Sequence, residues 1–241
     1  MIRATLMAGV MGFCLLLPAE TARALTKTLN GLEITVDDTH GSIRKLAYPG
    51  VGSFLDAGTN QAGLLTVTHS NVRLSSRTAT ATVTDTPNGL RIVWNSLESP
   101  PSGKIRAVAD IRAADDGRSI VFTCQVSNQT GRALGPILFP DLPGLRPFDK
   151  PERMEFRMAL GVISPFTGAD FSYLYNNSGI YYMNALRWVD FGSLKGGLSI
   201  FQKKWLVEPR PSVWVERNTP DAAFLRVAWQ HPGPAQGQVW D

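Results

Sequence analysis

The chain has 241 residues, 44% of them hydrophobic and 18% charged, which is enough for one large core or two small ones. Its formal charge of +4 is spread along the chain with no lysine- or arginine-rich run, which argues against a nucleic-acid partner. Three histidines, no cysteine pair with metal spacing and no clustered Asp/Asn loop leave neither a metal nor a cofactor expected.

The N-terminus has the order of a secretory leader. Arg3 supplies a short positive region, residues 4–18 are apolar, and Ala22-Arg23-Ala24 is a small-x-small cleavage site. Glu20 and Arg23 close the apolar run before it reaches the roughly 20 residues of a spanning helix. The expectation is a signal peptide over residues 1–24, a secreted or periplasmic protein over 25–241, and no membrane span after cleavage. Cutting there removes Cys14 and leaves Cys124 as the single cysteine, so no internal disulfide can form. Cys124 alternates with Ile120, Phe122 and Val126, the pattern of a buried structural thiol.

Period two dominates the chain beyond the leader. Leu32, Ile34 and Val36 alternate with Glu33, Thr35 and Asp37. Thr78 to Thr84, Leu90-Ile92-Trp94, Ile105-Ala107-Ala109-Ile111 and Met154-Phe156-Met158 repeat the pattern, each predicting a half-buried strand. Asn88-Gly89 and Asp116-Gly117 fall where tight hairpins need positive φ. Pro136, Pro140, Pro143 and Pro147 break the one stretch that resembles a helix, so 133–148 is expected to be a long connection. Strands joined by short turns, without helices between them, predict an all-β antiparallel sandwich.

Few residues point to chemistry. There is no Gly-x-Ser-x-Gly elbow and no phosphate-binding glycine loop opening a helix. Asn128-Gln129-Thr130 and Asn176-Asn177-Ser178 match the glycosylation acceptor pattern. Tyr173, Tyr175, Tyr181, Tyr182, Trp188, Trp205, Trp214 and Trp229 crowd the C-terminal third. Most are expected in the core, where their area is useful. Trp188, with Arg187 and Asp190 beside it, is the candidate carbohydrate-contact surface: an aromatic face for a sugar ring and charged groups for its hydroxyls. His231, with Glu208 or Glu216, is the candidate pair for proton exchange with a sugar ring oxygen and its anomeric hydroxyl.

Two segments carry a resemblance. Gly31-Leu32-Glu33-Ile34-Thr35-Val36 followed by Gly41-Ser42-Ile43-Arg44-Lys45-Leu46 resembles the first hairpin of galactose-mutarotase-like supersandwiches. Met183-Asn184-Ala185-Leu186-Arg187-Trp188-Val189-Asp190 with Gly196-Gly197-Leu198-Ser199-Ile200-Phe201 resembles a hairpin in the N-terminal β-sandwiches of secreted glycoside-hydrolase-like proteins. The resemblance implies a supersandwich-like domain and a carbohydrate partner, an oligo- or polysaccharide. In such hydrolases an (α/β)8 barrel bearing the catalytic carboxylates follows the sandwich. The chain stops near where that barrel would begin, so no catalytic residue is carried over. The leading expectation is therefore a non-catalytic carbohydrate-associated sandwich, the front of a glycoside-hydrolase-like protein. The alternatives are an aldose epimerase-like enzyme and a protein-interaction sandwich of the cell envelope.

Overall fold

A computed structural model describes residues 24–56, 63–158, 161–163, 167, 171–175, 188–201, 212–217 and 225–240. In chain order the strands are β1 (Ala24–Leu29), β2 (Leu32–Asp37), β3 (Ile43–Tyr48), β4 (Gly52–Asp56), β5 (Thr66–His69), β6 (Val72–Ser75), β7 (Ala81–Thr86), β8 (Gly89–Trp94), β9 (Ile105–Ala113) and β10 (Ile120–Asn128). They continue as β11 (Ile137–Leu145), β12 (Glu155–Met158), β13 (Gly161–Ile163), β14 (Phe171–Tyr175), β15 (Trp188–Ser193), β16 (Gly196–Phe201), β17 (Ser212–Arg217), β18 (Leu225–His231) and β19 (Val239–Trp240). The helical segments among the described residues are two 3-10 turns, Ser76–Thr78 and Pro151–Arg153. No helix among these residues is long and apolar enough to cross a membrane.

Every strand pairs antiparallel. A ten-stranded sheet runs β1-β2-β3-β4-β11-β18-β17-β14, with the β5–β6 hairpin joined to β11. A five-stranded sheet runs β19-β10-β9-β8-β7, and a four-stranded sheet runs β13-β12-β15-β16. The predicted alternation holds where it is cleanest. Ile34, Val36, Leu90, Ile92, Trp94, Ile105, Ala107, Ala109 and Ile111 are all buried, and Cys124 is buried opposite Ala109. One continuous apolar cluster joins the sheets. Trp94 Nε1 donates to the His40 carbonyl at 2.9 Å, tying the small sheet to the β2–β3 turn of the large one. Phe148 stacks edge-on against both Phe54 and Phe191, which seats the four-stranded sheet.

Two expectations are corrected, and one pattern match is discounted. The threonine run does not begin a strand at Thr78: the Ser75 side chain caps a 3-10 turn over Ser76–Thr78, and β7 starts at Ala81. The connection expected over 133–148 is instead β11, a central strand of the large sheet. Its register against β18 shifts between Leu138 and Asp141 and again between Leu142 and Leu145. Pro140 and Pro143 occupy those two irregularities, where a residue without an N–H costs the ladder nothing. Asn128 is not an acceptor site: it is 1% exposed, and its side-chain amide donates to the Arg132 carbonyl at 2.7 Å.

Candidate functional site

The face of a strand is set by parity. In β17 and β18, Trp214 lies opposite Ala228 and Glu216 opposite Arg226, so these four share one face of the large sheet. The intervening Val213, Val215, Val227 and Trp229 take the other face and belong to the continuous core. Asp141 of β11 sits opposite Ala228 and joins the first face. Ala228 is fully buried without belonging to the core cluster, as its place on the far side of the sheet requires.

Arg226 organises this face. Its Nε donates to Asp141 Oδ1 at 2.8 Å and its Nη2 to Asp141 Oδ2 at 2.6 Å, a bidentate pair. Its Nη1 donates to Glu216 Oε1 at 3.0 Å. The Thr66 hydroxyl, from β5, donates to Asp141 Oδ2 at 3.1 Å. The Asp141 side chain is 0% exposed, against 13% for Glu216 and 18% for Arg226. Burial pushes the Asp141 carboxyl above its ordinary range, while Arg226 and Thr66 pull it back. Asp141 accepts from the guanidinium on both oxygens. Burial works to lower the pKa of Arg226, but its hydrogen bonds and charge contacts with Asp141 and Glu216 hold it above its ordinary value. Two guanidiniums also lie over the Trp214 ring, Arg226 with Cζ 4.9 Å from the centroid and Arg73 of β6 at 4.8 Å.

Asp141 is thereby saturated, and Glu216 is not. No described residue donates to the second oxygen of Glu216. The face presents one carboxylate with an oxygen to spare among the described residues, a guanidinium holding it, and a tryptophan beside both.

His231 does not belong here. It lies an odd number of residues from Arg226 on the same strand, so it faces the core side while Glu216 faces away from it. Its Nε2–H donates to the Phe139 carbonyl at 3.0 Å, and its ring packs on Trp240 with centroids 4.9 Å apart. Burial holds its pKa down to about 4. The expected pairing of His231 with Glu216 is therefore not made. Glu208 lies outside the described residues. His69 is also three residues, an odd step, from Thr66 and turns to the core side of β5.

The surface expected around Trp188 falls on the four-stranded sheet. Trp188 opens β15 opposite Phe201, and Asp190 sits between Arg157 and Ser199 in the register. The Ser199 hydroxyl donates to Asp190 Oδ1 at 2.7 Å. Asp190, Arg157 and Ser199, with the paired Gly192 and Gly197, line a shallow recess of about 170 Å³. Arg187, Trp205, Tyr181 and Tyr182 lie outside the described residues. Trp229 is in the core as expected. The sequence reading missed Asp141, Arg226, Thr66 and Arg73. The available signal was charge on one parity of apolar strands, in Trp214-Val215-Glu216 and in Arg226-Val227-Ala228-Trp229.

Two solved structures resemble the fold. A candidate aldose 1-epimerase from Escherichia coli K12 superposes with a TM-score of 0.54 at 10% identity, covering 90% of this chain and 96% of that one. A galactose mutarotase related enzyme from Lactobacillus acidophilus superposes with a TM-score of 0.56 at 9% identity, covering 90% and 94%. No protein-family model and no curated protein sequence matches the chain. At these identities the likeness is one of fold: the chain is an all-β sandwich of the galactose-mutarotase-like kind.

Proposed function

We propose that the protein binds an aldose on the Glu216–Arg226–Asp141 face of the large sheet and interconverts its anomers. The observation that carries this reading is the inequality of the two carboxylates around one guanidinium. Asp141 is fully occupied in fixing Arg226, and Glu216 keeps one oxygen without a donor among the described residues. The fold shared with an aldose 1-epimerase-like and a mutarotase-related protein supports the choice of substrate.

Anomer exchange needs a base for the C1 hydroxyl proton and an acid for the ring oxygen. Glu216 takes the C1 hydroxyl proton as the bond from C1 to the ring oxygen opens. The ring oxygen takes a proton from solvent water, to which the same proton goes back when the ring recloses, and the open-chain aldehyde forms. Rotation about C1–C2 and closure on the other face return the proton from Glu216. Arg226 aims Glu216 through its Nη1 hydrogen bond, and Asp141 is a positioning residue acting through Arg226.

One observation favours a second reading, sugar binding without catalysis. Both histidines of this sheet, His69 and His231, turn to its core side, so neither is placed to protonate the ring oxygen. The test for both readings is the relaxation of optical rotation after dissolving pure α-D-galactose or α-D-glucose, run beside a binding titration by saturation-transfer NMR. Acceleration that disappears in Glu216→Gln supports the epimerase. Binding with no acceleration supports the binder. A folded protein that neither binds nor accelerates overturns the proposal.

A further inference from the structure

Arg73 is the outlier in the charge balance of this face. Asp141 and Glu216 both engage Arg226, so one guanidinium already answers two carboxylates. Arg73 is exposed, and among the described residues it has no carboxylate partner. Its place is nonetheless fixed by the backbone. Ser70 and Asn71 take the left-handed conformation, with φ of 49° and 64°, and close a tight hairpin between β5 and β6. The register puts Arg73 opposite Thr68 and Ser75 opposite Thr66. Arg73 therefore shares the face on which Thr66 reaches Asp141. Its Cζ stands 4.8 Å from the Trp214 ring centroid. The ring quadrupole of the indole attracts the cation without accepting its in-plane hydrogen bonds.

A planar donor fork held on an aromatic platform at the rim of a sugar site has a natural complement in an oxyanion. We propose that Arg73 selects aldoses bearing an anionic substituent, a carboxylate as in a uronate or a phosphate as in a sugar phosphate. This rests on the reading that the face binds an aldose. Trp214 then serves to hold Arg73 as well as to flank the ring, and Arg226 remains committed to Glu216.

The experiment is a set of titrations of the full chain with D-glucose, D-glucuronate and D-glucose 6-phosphate at low and at high salt. The variants are Arg73→Gln, Arg73→Lys and, as a control of equal charge change away from this face, Arg118→Gln, each checked by thermal melt. The expected result is a preference of about tenfold or more for at least one anionic aldose over glucose. Arg73→Gln should reduce that preference to within about twofold, with the loss of affinity falling mainly on the anionic sugar. Arg73→Lys should keep part of it, and Arg118→Gln all of it. Which anion is preferred identifies the carboxylate or the phosphate. Equal binding of neutral and anionic sugars, or a preference that survives Arg73→Gln, overturns this inference and leaves the aldose site standing. Failure to bind any of the three overturns the aldose site itself.

Discussion

Arg226 holds two carboxylates, and the consequences of removing each are different. Asp141→Ala leaves a buried guanidinium with half of its partners, and breaking such a pair from one side typically costs about 3–5 kcal/mol. Glu216→Gln keeps an acceptor oxygen for Nη1 and leaves Arg226 paired with Asp141, so it should cost only about 1 kcal/mol, the scale of one weakened hydrogen bond. Urea denaturation of the two variants should therefore separate them clearly. Activity should divide the other way, with Glu216→Gln folded and inactive. Equal destabilisation would mean that Glu216 is as structural as Asp141, and the proposed base would be lost. Glu216 was legible in the sequence as a candidate proton acceptor, although with the wrong partner. Its true partners were not legible, because Arg226 lies 85 residues from Asp141 and Thr66 lies 75 from it. Only the pairing of β11 with β5 and β18 brings them together.

At the scale of elements, alternation was readable wherever a strand has one dry face, as in β2, β8 and β9. It failed at β11, whose pattern is broken by prolines that the structure accommodates at register shifts. The turns divide in a similar way. Asn88-Gly89 looked like a turn requiring positive φ, yet that conformation falls elsewhere, at Asn30-Gly31 and Ser70-Asn71. Gly89 is needed for space instead: a Cβ there would stand 2.0 Å from the Ile111 carbonyl oxygen on β9. Gly117 is the reverse case, with φ of 69° and no atom within 4 Å of an added Cβ. Gly117→Ala should cost about 1–2 kcal/mol, the strain of a left-handed alanine. Gly89→Ala must push β8 away from β9 and should cost about 3 kcal/mol or more, in the range of severe overpacking. Chemical denaturation of both checks the order, and a Gly89→Ala variant no worse than Gly117→Ala would mean that the strands part easily.

Across the whole molecule, His231 marks the seam between the two larger sheets. It belongs to β18 of the large sheet, and its ring packs against Trp240 of β19, an edge strand of the five-stranded sheet. The group is buried neutral in the folded state, with a pKa of about 4, and has its ordinary value of 6.5 once unfolded. Between those values the unfolded chain binds the extra proton, so stability falls as the pH drops from about 6.5 to about 4 and levels off below. A separation of that size corresponds to roughly 3 kcal/mol. Asp141 contributes with the opposite sign, since a carboxyl raised in the folded state favours folding as it takes up its proton. The two effects are separated by comparing the wild type with His231→Gln, which can still donate to the Phe139 carbonyl but cannot charge. Denaturation midpoints measured from pH 7 to pH 4 should fall further for the wild type than for the variant, and the difference between the two curves is the contribution of His231. Parallel curves would show that the imidazole titrates alike in both states, and that the seam is open enough for His231 to take up a proton without separating the sheets.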